Sequence, residues 1–257
     1  DGTLIPVFLV HQKGIAPDGS HPVLLKGYGG FGLSQLPKFE VERIPWLEAG
    51  GIYAVANLRG GAEYGEAWHE AGMRDKKQNV FDDFIAVGEW LIAEGWSHPD
   101  KLASIGDSNG GLLTAACLVQ RPDLFGAVIS QVPLIDMLRY HRFSVGRYWI
   151  PEYGCADRSE AEFKTLLAYS PLHNVRPVSY PPVLVMSAEQ DDRVVPAHAK
   201  KFVATLQAQA QAINQTEKPL LLRVETKAGH GAGKPRALVL DEQTDVCSFL
   251  FWQLGMN

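Results

Sequence analysis

Residues 102–120 read LASIGDSNGGLLTAACLVQ. An apolar run of strand length passes without a spacer into a helical pattern, and the junction is Gly106-Asp107-Ser108-Asn109-Gly110. A strand can turn this abruptly into a helix only if the two backbones cross closely. That needs small residues two before and two after the apex, which the pattern G-x-S-x-G supplies. The serine at the apex is lifted above the strand end, in a strained turn. The strand itself has no polar alternation. It therefore reads as buried on both faces, as in a parallel sheet covered by helices.

The rest of the chain fits that frame. Strands are expected at 4–11, 23–28, 52–61, 127–130, 182–188 and 220–226. Helices are expected at 39–50 (distorted or divided by Pro45), 79–95, 110–120, 196–212 and 237–254. Pro196 suits a first helical turn. Within 79–95, Phe81, Phe84, Ile85, Trp90 and Leu91 fall near one face. This alternation predicts an α/β fold, a mostly parallel sheet with helices on both faces, in a single unit over 1–257. The first strands lie close together, so antiparallel pairing is expected among them. The stretch from Pro133 to Pro182, rich in aromatics, Arg and Pro, reads as a helical excursion above the sheet.

The formal charge of −5 disfavours nucleic acid as a partner, since a phosphate backbone asks for a basic face. Lys76-Lys77 and Lys200-Lys201 read as solvated surface. No apolar run approaches a membrane span. The three cysteines are widely separated with no C-x-x-C, which argues against a zinc cage or redox pair. Cys117 and Cys247 read as buried, inert thiols, and no metal or cofactor is expected.

A serine hydroxyl needs a base, and behind an elbow of this type the order along the chain is Ser, acid, His. Of the histidines after Ser108, three stand farthest along the chain. His198 lies early in a helix and reads as surface or half-buried, and His173 follows Ser-Pro with no strand before it. His230 follows a strand and stands in AGHGAG, where glycines permit a tight loop, so it is the best-placed base. The acid should follow the strand 182–188, where Glu189, Asp191 and Asp192 are available; Asp191 or Asp192 could orient the imidazole, and spacing does not choose. Asp82-Asp83 reads as a solvated or capping pair.

Gly27-Tyr28-Gly29-Gly30-Phe31-Gly32 satisfies G-x-G-x-x-G, but a dinucleotide loop must open a helix directly and be followed by a strand ending in an acid. Here Leu33-Ser34-Gln35-Leu36-Pro37 delays any helix, and the next strand ends in Asn57-Leu58-Arg59. The nucleotide reading lacks both contexts. Beside an elbow, the same loop can help form an oxyanion hole, with the Tyr28 phenol and the Asn109 N–H as donors.

Taken in order, GYGGF, RGGAEYGEAWHEAG, NVFDDF, GDSNGGLL, QRPDLFGAVISQVP, YSPLHNV, DDRVVPAHAKKF and TKAGHGAGKP closely resemble the catalytic domain of the prolyl oligopeptidase family, from DGTLIP to the last helix. The resemblance implies an α/β-hydrolase fold and a serine endopeptidase that cleaves short peptides on the carboxyl side of proline through an acyl-enzyme. The alternative is a related oligopeptidase or esterase with a different first pocket. Carried over position by position, it makes Ser108 the nucleophile, His230 the base and Asp191 the orienting acid. Tyr28 becomes an oxyanion donor. Trp149 would stack on the substrate proline, with Phe31, Tyr153 and Val194 as further walls. Arg193 would bind a carbonyl of the preceding residue. On residues alone, Trp149 reads as a structural tryptophan and Arg193 as an ion-pair partner of Asp191 or Asp192.

Two departures stand out. Asp107 occupies a position that is Gly in the family, and Leu134 one that is Val. Asp107 should leave the elbow intact while placing a carboxylate beside the reacting groups, and it is expected to move the acidic limb of the rate profile upward. Leu134 narrows the pocket slightly. The family's β-propeller, which restricts access to short peptides, has no counterpart in these residues, so a propeller partner domain is expected in the full-length protein. The expected compartment is the cytoplasm, with the periplasm as the alternative because the chain begins Asp1-Gly2.

Overall fold

A computed structural model of the protein describes residues 1–231 and 233–256; Ala232, within AGHGAG, and Asn257 lie outside the described residues. Seven strands, β1 (Val7–Val10), β2 (Val23–Lys26), β3 (Ile52–Ala56), β4 (Leu102–Asp107), β5 (Ala127–Gln131), β6 (Val183–Ala188) and β7 (Leu220–Glu225), form one sheet in the order β1-β3-β2-β4-β5-β6-β7. Only β1 is antiparallel, against β3; β2 pairs parallel with β3 and β4, and the remaining strands continue parallel. The antiparallel pairing expected near the start is thus confined to β1. Its side chains alternate in exposure, as an edge strand with one solvated face should.

The inner strands are buried on both sides, and their alternate residues serve two cores. Val23, Leu25, Ile52, Ala54, Val128, Val183 and Val185 point to one face. They pack there with α3 (Gln78–Ala93), α4 (Asn109–Gln120) and α7 (Ala197–Ala212) through Phe81, Phe84, Leu112, Phe202 and Leu206. Leu24, Tyr53, Ala103, Ile105, Ile129, Leu184 and Met186 point to the other, against Trp46 of α1 (Ile44–Glu48) and Val246, Phe249 and Leu250 of α8 (Arg236–Leu254). Each fully buried side chain of this size contributes about 1.5–3 kcal/mol relative to exposure.

Pro45 divides the expected helix 39–50 into a 3₁₀ turn, Val41–Arg43, and α1. The excursion carries α5 (Ile150–Tyr153), α6 (Glu160–Tyr169) and several 3₁₀ turns. A further short helix, α2 (Glu66–Glu70), precedes α3. Five residues differ from expectation. Lys77 is buried rather than solvated. Trp90 is 43 % exposed, because α3 covers the sheet with only part of its circumference. Cys247 is only partly buried. Asp83 is buried rather than solvated, because Arg59 Nη2 reaches its Oδ1 at 2.5 Å and Arg59 N–H its Oδ2 at 3.1 Å. His198 is fully buried, its Nδ1 accepting the N–H groups of Ile135 and Asp136 at 3.2 and 3.0 Å.

Between β4 and α4 stands a single residue, Ser108, at φ 58° and ψ −112°. A non-glycine residue held there costs on the order of 1–3 kcal/mol. It is held because its N–H donates to Gln131 O at 2.9 Å and its own carbonyl starts α4 by accepting Leu112 N–H at 3.0 Å. A Cβ on Gly106 would lie 2.2 Å from Gly110 O, a backbone atom that cannot yield. Gly106→Ala is therefore expected to cost about 1–3 kcal/mol or more, lowering Tm by several degrees in thermal unfolding. An unchanged Tm would show that the crossing is not tight.

Candidate active site

The loops after β2, β4, β6 and β7 meet above the carboxyl ends of the strands, where ligands bind in parallel sheets. The β4 loop brings Ser108, the β6 loop Asp191 and the β7 loop His230. Ser108 Oγ lies 3.1 Å from His230 Nε2, and His230 Nδ1 lies 2.7 Å from Asp191 Oδ2. The other oxygen of Asp191 accepts the N–H groups of Arg193 and Val194 at 3.0 and 2.8 Å. The Asp191 side chain is wholly buried and that of His230 is 11 % exposed. With Asp191 facing it, Nδ1 carries the hydrogen and Nε2 is left with a lone pair toward the serine. Backbone N–H bonds orient the carboxylate, the carboxylate orients the ring, and the ring faces the alcohol.

The alternatives do not converge. Glu189 is exposed and paired with Lys200 at 2.9 Å. Asp192 is exposed, and its backbone carbonyl accepts the hydroxyl of Ser144. His173 Nδ1 is 2.7 Å from Ser170 Oγ. Burial pushes His198 down to about 4, so it is neutral at working pH.

Tyr28, Phe31, Leu33, Ser108, Asn109, Leu134, Tyr148, Trp149, Tyr153, Arg193 and Val194 line one cavity of about 300 Å³. Every pocket residue expected from the sequence is on this wall, and Tyr148 and Leu33 join it. Neither of the two was anticipated; only the adjacency of Tyr148 to Trp149 hinted at it. Arg193 is free to face the cavity because Asp191 gives its oxygens to His230 and to backbone N–H groups rather than to the guanidinium. The ring of Phe31 meets Tyr153 edge-on, 5.6 Å between centroids at 84°. Tyr153 O–H donates to Asn109 Oδ1 at 2.7 Å, and Asn109 Nδ2 to Tyr28 O at 2.5 Å. The Asn109 side chain thereby ties the elbow to the loop carrying Tyr28.

Burial first, then the negative charge of Asp107, pushes the Tyr28 phenol up to about 12. It stays protonated, a neutral O–H donor beside Ser108. Asp107 ends β4, opposite Gln131 of β5, with its side chain exposed. The nucleotide reading fails on the same loop, since Gly32 N–H closes onto Gly60 O at 3.0 Å and residues 33–40 form no helix. Away from the site, His141, Cys155 and Asp157 bring potential ligand atoms within 4.8 Å of one another. Arg142 binds both oxygens of that Asp157, at 2.7 and 2.9 Å, so its charge is already matched and a cation would meet a guanidinium.

The sequence profile described as the prolyl oligopeptidase family matches residues 37–257. The chain belongs to the prolyl oligopeptidase family. A prolyl endopeptidase of Elizabethkingia miricola is 47 % identical over 258 aligned residues, covering all of this chain and 36 % of the relative. A solved structure from a study of two prolyl endopeptidases and their inter-domain dynamics superposes with a TM-score of 0.96 at 52 % identity, over all of this chain and 37 % of the other. Prolyl oligopeptidase B of Galerina marginata, bound to a 35-residue hydrolysis and macrocyclisation substrate, gives 0.94 at 40 % identity, over all of this chain and 36 % of the other. The chain thus spans little more than a third of the length of these relatives. Its fold is the α/β-hydrolase fold of the family's catalytic domains.

Together with burial, the Asp107 carboxylate pushes the Tyr28 phenol beside Ser108 upward, and it would likewise oppose any negative charge developing at that point. Asp107→Asn is expected to raise kcat/KM on a small chromogenic acyl substrate about 2–5-fold at low salt, with the gain fading toward 1 M salt as screening removes an exposed charge. Equal rates at low salt would take Asp107 out of the electrostatics of the site.

Proposed function

We propose that the protein is a serine endopeptidase that hydrolyses short peptides on the carboxyl side of proline. The observation that carries this reading is the hydrogen-bonded series Ser108–His230–Asp191 opening onto an aromatic pocket. Ser108 Oγ attacks the scissile carbonyl while His230 Nε2 takes its proton, and Asp191 steadies the imidazolium. The oxyanion is met by the Tyr28 O–H and the Asn109 N–H, preorganised donors of the kind that dominate such rate enhancements. His230 then protonates the leaving amine, and water enters to release the acyl group by the same steps in reverse order.

The pocket supports proline. A prolyl ring is flat and apolar, and a peptide-bonded proline has no N–H, so its site needs shape and not a hydrogen-bond acceptor. Trp149, Phe31, Tyr153, Leu134 and Val194 offer that surface, and apolar fit discriminates by roughly 1–3 kcal/mol. The Arg193 guanidinium suits a carbonyl of the preceding residue, a charge-assisted bond worth roughly 1.5–3 kcal/mol. In the full-length protein a β-propeller is the proposed partner domain, limiting substrates to short peptides.

On paired chromogenic peptides differing only in proline or alanine before the cleaved bond, proline is expected to be preferred by about 10–200-fold in kcat/KM, and Trp149→Ala to erase most of the preference. A ratio near one would move the protein to a related oligopeptidase or esterase with another first pocket. Arg193→Ala is expected to raise KM about 10-fold or more on substrates with a residue before proline, with kcat little changed; an unaltered KM would remove Arg193 from substrate binding.

A further inference from the structure

Lys77 was expected at the surface with Lys76. Instead its side chain is 1 % exposed, immediately before α3. The ammonium donates to Gly29 O at 2.8 Å, stands 3.6 Å from Glu152 Oε1, and lies 5.3 Å from the centroid of the Tyr153 ring. Glu152, on α5, accepts Phe31 N–H on Oε1 at 3.0 Å and holds His69 Nε2 on Oε2 at 2.9 Å. His69 Nδ1 in turn lies 3.1 Å from Glu66 Oε1. A buried lysine and a buried glutamate therefore grip the same glycine loop at two points. One grip is on the carbonyl of the residue after Tyr28, the other on the N–H of Phe31.

Stability does not account for this pair. An ion pair taken out of water is often no more stabilising than apolar side chains of similar volume. The loop does need holding: Gly29 sits at φ 64° and the non-glycine Phe31 at φ 57°, and such backbone persists only where its surroundings over-determine it. We propose that Lys77 and Glu152 are positioning residues for the reaction, a buried clamp that fixes the Tyr28 hydroxyl at the oxyanion position and Phe31 as a wall of the proline pocket. This rests on the peptidase reading above.

The clamp has a pH signature. Burial pulls the Lys77 amine down to about 8, with Glu152 opposing. The groups facing it are Glu152 and the Tyr153 phenol, which burial keeps protonated. Behind Glu152 stands His69, where burial pulls downward but the hydrogen bonds and charges of Glu152 and Glu66 together outweigh it and leave the imidazole raised. As pH rises through 8 the amine loses its charge and the grip weakens. Unfolding does not explain a fall in rate there. The folded amine titrates below its unfolded value, so the unfolded chain binds more protons between about 8 and the ordinary lysine range, and stability contributed by Lys77 increases with pH across that window.

The test is kcat and KM of the full-length protein on a proline chromogenic peptide from pH 6 to 9.5, for wild type, Lys77→Met, Glu152→Gln, Tyr28→Phe and Lys77→Met/Tyr28→Phe. Tyr28→Phe alone is expected to lose about 10²–10³-fold in kcat. Lys77→Met is expected to lose about 30-fold or more in kcat with KM within about 3-fold, and the double variant to stay within about 3-fold of Tyr28→Phe alone, so that losing the phenol costs far less in the Lys77→Met background than in wild type. The wild-type kcat should fall through pH 8, and that limb should vanish in Lys77→Met. A folded Lys77→Met with wild-type kcat, or a full Tyr28→Phe penalty in its background, overturns the clamp. Where Lys77→Met does not fold, Glu152→Gln keeps an acceptor for Phe31 N–H but removes the charge facing the amine; an unchanged kcat and pH profile in that variant overturns it equally. An inert wild type instead overturns the peptidase reading itself.

Discussion

The crossing of β4 and α4 is the contact on which the site depends. Gly106 and Gly110 meet so closely that no side chain fits between them. The chain can therefore reverse within one residue, and that residue is forced to φ 58°. The strain is fixed by the sheet, since the Ser108 N–H is bonded to Gln131 O on the neighbouring strand. The serine oxygen is then aimed by backbone geometry rather than by its own rotamer preferences. Every other group needs only to reach that point from the end of a parallel strand, which β2, β6 and β7 provide.

Around this point the charges are arranged with opposite purposes. Asp191 is buried yet satisfied by two N–H groups and the His230 ring, so it can hold an imidazolium without moving. Tyr28 is kept neutral by burial and by the Asp107 charge, which leaves its O–H available to donate without carrying charge of its own. Lys77 and Glu152 lie below the loop and touch its backbone rather than the cavity. The cavity itself presents apolar rings and one guanidinium, a combination suited to a proline flanked by peptide carbonyls.

The strands were legible because each is a short apolar run with Gly or Pro nearby, and the inner ones, β2 to β6, carry apolar residues toward both faces. The elbow was legible because close backbone crossing demands glycine at fixed offsets. Asp191 could not be told from Asp192 by spacing, since both stand on one loop and the choice is made by where the N–H groups of Arg193 and Val194 point. Asp83, His198 and Lys77 were misread for one reason. A polar group can be buried only with a partner, and the partners (Arg59, the Ile135 and Asp136 N–H groups, Gly29 and Glu152) are far away in the sequence. Local composition carries no trace of them. The pocket walls in the excursion came from family resemblance, because no periodicity marks Trp149 or Tyr153 as facing the serine.

The central claim is that His230 activates Ser108 and no other hydroxyl. Labelling with a fluorophosphonate, followed by peptide mass mapping of the adduct, tests it most directly. Stoichiometric modification of Ser108 alone is expected, slowed by orders of magnitude in His230→Ala. Modification of a different residue, or undiminished labelling of Ser108 without His230, would contradict it.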